Sequence, residues 1–83
     1  MEEKNRITLL GIIVEDTGST EVINQLLHEN RQYVVGRMGI PYRQRGLAII
    51  SVVLDAPQDV TSALSGKLGM LPGVSVKAVY SKN

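Results

Sequence analysis

The chain contains no cysteine, no tryptophan and no phenylalanine. Without a thiol it can hold no disulfide framework, thiolate nucleophile, zinc finger or cysteine-ligated iron–sulfur cluster. Its aromatic residues are Tyr33, Tyr42 and Tyr80, too scattered to make a stacking platform for unpaired bases. His28 is the sole histidine. One imidazole cannot build a metal site, which needs three or four convergent ligands. Only copies of the chain could gather it with Glu29 or Asp16, so no metal is expected and no cofactor is implied. Long apolar runs are also missing. The first, residues 7–14, is too short for a signal-peptide core with its cleavage site, and far too short to span a bilayer. The chain is read as cytoplasmic, with no membrane partner. A formal net charge of +1 exerts no general pull on nucleic acid or membranes.

At 83 residues the chain is read as one domain, ordered over about residues 6–80. The ends, residues 1–5 and 81–83, are polar and charged, and order is not expected there. A domain this small buries only about 60–65% of its unfolded surface, so association would help it. Charge is unevenly spread. Residues 30–54 carry Arg31, Arg37, Arg43 and Arg45 and no acid.

The pattern predicts six elements. "RITLLGIIVED" is a strand whose two faces, Ile7, Leu9, Gly11, Ile13 and Thr8, Leu10, Ile12, Val14, are both apolar. A turn leads into a helix with Ser19 or Thr20 as cap and Glu21 in its first turn. Its buried face is expected to hold Val22, Ile23, Leu26, Leu27 and Asn30, leaving His28 exposed. "QYVVGRMGIP" is a strand stopped by Pro41. Its proline and glycines suit a sheet edge or a bulge. After the turn "YRQRG", "LAIISVVLD" is a strand apolar on both faces. A second helix follows, with Pro57 at its first position and Asp55 with Gln58 as a capping box. Val60, Ala63, Leu64 and Leu68 form its expected buried face, and Gly69 stops it. "VSVKAVY" is an alternating last strand with Val74, Val76, Ala78 and Tyr80 inward.

The order β-α-β-β-α-β describes an α+β, ferredoxin-like sandwich: one four-stranded antiparallel sheet with two helices on one face. In that topology strands one and three are central, and they are the two with double-sided apolar patterns. Two helices cover only one face of a sheet. The other face would carry an apolar patch of several hundred Å², unusual on a monomer. Sheet packing in a homo-oligomer, a dimer or tetramer, is therefore expected.

Catalytic signatures are weak. Glu15 and Asp16 are neighbours on a strand end and point to opposite faces, which makes a poor acid–base pair. "SGKLG" lies inside the second helix and is no phosphate loop. Two regions could instead bind. The turn Asp16, Thr17, Gly18, Ser19 opens a helix whose first backbone N–H groups are free. In "VGRMG", Gly36 and Gly39 flank Arg37, where a ligand or another chain could approach. Arg43 and Arg45 sit in the hairpin turn and are candidate anion or nucleic-acid contacts through phosphate alone.

"VEDTGSTEVINQLLHE", "VGRMGIPYRQRGLAIISVVLDAP" and "LSGKLGMLPGVSVKAVYSK" together resemble the iron-only hydrogenase system regulator family, over nearly the whole chain. These small domains are related to ACT domains and to the C-terminal domain of the nickel-responsive repressor. The resemblance implies an ACT-like fold, oligomerisation through sheets and a regulatory role. ACT domains bind small effectors where the first strand enters the first helix. Asp16 and Gly18 match that pattern, whereas Thr17 and Ser19 stand where a proline and an aliphatic residue are usual. The repressor's nickel site uses several histidines and a cysteine, so nickel does not transfer to this chain, which also lacks the repressor's DNA-binding segment.

The leading expectation is a non-catalytic oligomeric domain sensing a small-molecule effector, with Asp16, Thr17, Gly18, Ser19, Gly36, Arg37 and Gly39 as ligand contacts. The alternative is an adaptor working through protein or nucleic-acid contacts of the arginine hairpin. A small enzyme ranks last.

Overall fold

The computed structural model describes residues 4–82. Its strands are β1 (Asn5–Val14), β2 (Val34–Tyr42), β3 (Leu47–Pro57) and β4 (Val74–Tyr80). Its helices are α1 (Thr20–Glu29) and α2 (Gln58–Gly69). The strands form one antiparallel sheet in the order β2-β3-β1-β4. This is the ferredoxin-like arrangement, with β1 and β3 in the centre.

The core lies between the helices and one sheet face. Leu10, Ile12, Val14, Ile50, Val52, Leu54 and Ala56 supply the sheet side, and Ile23, Leu27, Leu64 and Leu68 the helix side. Strand period two sends the alternate residues the other way. Ile7, Leu9, Ile13, Ile40, Tyr42 and Val79 are exposed on that open face, Leu9 at 43% and Met38 at 60%. Both faces of β1 and β3 are apolar, as the sequence indicates, and only one is covered by the chain itself.

Several local expectations are corrected. Ser19 takes the N-cap position of α1 but does not cap it with its side chain, and Thr20 is the first helical residue. Its hydroxyl donates instead to the Pro72 carbonyl at 2.8 Å. Val22 is exposed, at 45%, because the buried stripe of α1 is narrowed to Ile23 and Leu27. Pro41 does not stop β2. It pairs opposite Ala48, and an edge strand tolerates a residue that cannot donate. Asp55 and Gln58 form no capping box, because Asp55 stays within β3 and Pro57 takes the N-cap position. The buried stripe of α2 is Thr61, Leu64 and Leu68, with Ala63 exposed.

The expectation of loose ends falls partly on residues 1–3 and 83, outside the described residues. Asn5 belongs to β1, opposite Pro57. The Ser81 N–H donates to the Ile7 carbonyl at 2.9 Å, and Arg6 Nε donates to the Ser81 carbonyl at 2.8 Å. Order thus reaches further toward both ends than polarity suggests.

Candidate functional site

The predicted contacts fall in three places. Asp16 caps a 3₁₀ turn over Thr17, Gly18 and Ser19, its Oδ1 accepting from the Gly18 N–H at 2.9 Å. That turn is strapped to the connection between α2 and β4. The Glu15 N–H donates to the Gly73 carbonyl at 2.7 Å, and Ser19 holds Pro72. A Cβ on Gly73 would stand 2.7 Å from the Asp16 Cβ, so only glycine lets the two segments meet.

The second place is β2. Gly36 lies opposite Val53, Arg37 opposite Val52 and Gly39 opposite Ile50. A Cβ on Gly36 or Gly39 would meet nothing within 4 Å, so neither glycine is required by a close neighbour in its own chain. Arg37 lies level with Leu10, whereas the turn follows Val14. Four residues separate those levels along β1, about 13 Å at the rise of a strand. Within the chain the turn and Arg37 occupy different levels of the sheet.

The third place is the hairpin tip. Arg43 and Arg45 occupy a 3₁₀ turn that Gly46 closes in the left-handed region at φ 65°. Both arginines are exposed.

Sequence reasoning missed how Arg37 is aimed. Val34 and Arg37 are three apart, so a regular strand would place them on opposite faces. A bulge between Val34 and Gly36 shifts the register, and both residues pair with buried positions of β3, Leu54 and Val52. Arg37 therefore faces α1, where its Nη2 donates to Asn24 Oδ1 at 3.1 Å. A glycine inside a strand pattern was the available signal for that bulge.

A cleft of about 330 Å³ opens beside this contact, lined by Asn24, Leu27, His28, Arg31, Val34 and Arg37. Arg31 Nη1 donates to the His28 carbonyl at 3.1 Å and lies 3.4 Å from His28 Nε2. Among the described residues, no group of three or more His, Asp or Glu gathers where a metal ion could be held. No helix among the described residues is long and apolar enough to cross a membrane.

Comparison with solved structures places the fold. The chain is similar to the C-terminal domain of the MgtC protein from Mycobacterium tuberculosis, with 13% identity and a TM-score of 0.68, over 100% of this chain and 95% of that one. It is also similar to CPII, a nitrogen regulatory PII-like protein from Thiomonas intermedia K12 bound to ADP, AMP and bicarbonate. There the identity is 20% and the TM-score 0.54, over 94% and 92% of the two chains. At such identities these likenesses concern the fold. No curated protein matches the chain. The uncharacterized protein TM1266 from Thermotoga maritima is much nearer. It is 39% identical, with a TM-score of 0.91, over 95% of this chain and 100% of that one. The family profile described as "Iron-only hydrogenase system regulator, putative" matches residues 6–78. The chain therefore belongs to the TM1266-like family.

Proposed function

We propose that this chain is a non-catalytic regulatory module, a single ACT-like unit that assembles into a homo-oligomer through its open sheet face and senses a small-molecule effector. The observation that carries the reading is that face. Ile7, Leu9, Ile13, Met38, Ile40, Tyr42 and Val79 stand exposed on one side of one sheet. Together they make an apolar patch of several hundred Å², at or above the largest that ordinary monomers carry. A second copy suits it, because a small domain gains more from association than from a larger core of its own. The family's description as a regulator agrees with a binding role.

Effector contacts are assigned to Asp16, Thr17, Gly18 and Ser19, and to Gly36, Arg37 and Gly39. Arg43 and Arg45, exposed at the hairpin tip, favour a second reading as an adaptor for an anionic partner.

The first reading is tested by light scattering on the purified protein. Wild type runs as a dimer or tetramer at micromolar concentration. Met38→Glu combined with Ile40→Glu brings it to a monomer with unchanged circular dichroism, since buried charge at an apolar interface is strongly unfavourable. A monomeric wild type overturns the oligomer. Native mass spectra of gently purified protein show effector as added mass. Salt-sensitive binding of DNA or RNA that Arg43→Ala and Arg45→Ala abolish would favour the adaptor instead.

A further inference from the structure

The cleft between α1 and β2 is built from two periodicities. Asn24, Leu27 and His28 share one side of α1 at i, i+3, i+4 spacing, and Arg31 follows from the 3₁₀ turn just after the helix. Val34 and Arg37 come from β2 and reach the same side only because the bulge re-aims Arg37. Leu27 is buried and Val34 half-buried, which makes an apolar floor. Around it stand two guanidinium groups, an imidazole and a carboxamide.

Charge at this cleft is uncompensated. No carboxylate is among its lining residues. Arg37 spends one hydrogen bond on Asn24, and Arg31 spends its contacts on His28. A guanidinium presents five N–H donors in a planar fork. Most of the donors on both arginines thus remain for something other than the chain's own side chains. Arginine forks match the planar oxygens of carboxylates and the oxygens of phosphates, in charge-assisted and often bidentate hydrogen bonds. The volume, about 330 Å³, falls at the lower end of small-ligand sites.

We infer that this cleft is a binding site for a small organic anion, with a phosphate or carboxylate head held by Arg31 and Arg37 and an apolar body resting on Leu27 and Val34. The site deepens the effector-sensing reading above and rests on it, and it supplies the chemical class of the ligand. It lies on the helix side of the sheet, so a partner copy packed on the open face leaves it accessible. His28 and Asn24 flank the head and restrict its orientation.

The test uses amide-resolved NMR titration of the full chain with three probes: inorganic phosphate, phenyl phosphate and benzoate. Saturable shifts are expected at Asn24, His28, Val34 and Arg37 with phenyl phosphate or benzoate, and their ratio reports which head the site prefers. Phenyl phosphate should bind several-fold tighter than inorganic phosphate, because the ring covers the apolar floor. Arg31→Ala with Arg37→Ala should weaken binding by at least about tenfold, the scale of losing a charge-assisted hydrogen bond. Lys77→Ala, on the open sheet face, should leave it unchanged and so excludes a mere effect of net charge. The inference is overturned if neither organic probe saturates, or if the double variant binds as wild type does. Light scattering on the same samples separates the two readings. An oligomer without binding removes the cleft and keeps the assembly. A monomer that binds keeps the cleft and removes the assembly.

Discussion

At Gly73 two constraints coincide. Its φ is 69°, in the left-handed region, and an added Cβ would collide with Asp16 at 2.7 Å from Cβ and 2.8 Å from the backbone nitrogen. The first constraint costs a side chain about 1 kcal/mol and the second about 1–3 kcal/mol more. Gly73→Ala is therefore expected to destabilise by about 2–4 kcal/mol in urea unfolding. Gly46 shares the dihedral, at 65°, but a Cβ there meets nothing within 4 Å. Gly46→Ala should cost only about 1 kcal/mol. Equal losses at the two sites would mean that the contact with Asp16 contributes nothing. The sequence marks both positions as turns. It gives no hint that one turn touches the other end of a strand, since that proximity comes from pairing β1 with β4.

Helix α2 shows what periodicity resolves and what it leaves open. Its existence and length follow from Pro57, Gly69 and the apolar spacing between them. Its phase does not: the expected buried face includes Ala63, whereas the structure exposes Ala63 and buries Thr61. Leu64 and Leu68 fix a line on the helix, and the neighbour completing the stripe can lie on either side of it. Hydropathy favours alanine, whereas the packed helix buries Thr61. The consequence is a hydroxyl, Thr61 Oγ1, buried without a hydrogen-bond partner, with Thr8 Oγ1 in the same condition on β1. A buried unpaired hydroxyl costs about 1–3 kcal/mol, so an apolar group of the same shape relieves it. Thr61→Val should raise the unfolding free energy by about 1 kcal/mol. A loss of stability would show that the hydroxyl has a partner in solution. For strand β2 the proline and glycines pointed to an edge or a bulge, and the structure has both. Which side Arg37 faces was not, because one extra residue in the strand reverses every later side chain.

On the scale of the whole molecule, the second apolar face of β1 and β3 would tie stability to assembly in the proposed oligomer. If copies associate through the open face, the folded oligomer is favoured by mass action. The midpoint of thermal unfolding should then rise with protein concentration, by several degrees over a hundredfold range. A midpoint independent of concentration would mean that the sheet face contributes nothing to the fold's stability. The sandwich itself was readable from element order, because six short elements leave few right-handed, unknotted topologies. The candidate ligand contacts were readable as residue types but not as a site. Asp16 and Arg37 belong to different levels of the sheet, and the residues that do converge on Arg37, namely Asn24, His28 and Arg31, come from a helix face that looks merely solvated in sequence.

One row across the sheet has a further bearing on how the chain chooses its fold. Met38, Ser51, Gly11 and Lys77 lie side by side on the open face. Both sides of β1 and β3 are apolar, so hydrophobicity alone distinguishes poorly between the native pairing and one displaced by a single residue, which would exchange the two faces. The row breaks that tie. A displaced register would drive a lysine ammonium, a serine hydroxyl and a glycine with no side chain into the core, leaving unpaired polar atoms and a void where leucines now pack. Three small or polar residues, idle in the folded chain, thus decide which of two nearly equivalent sheets is built.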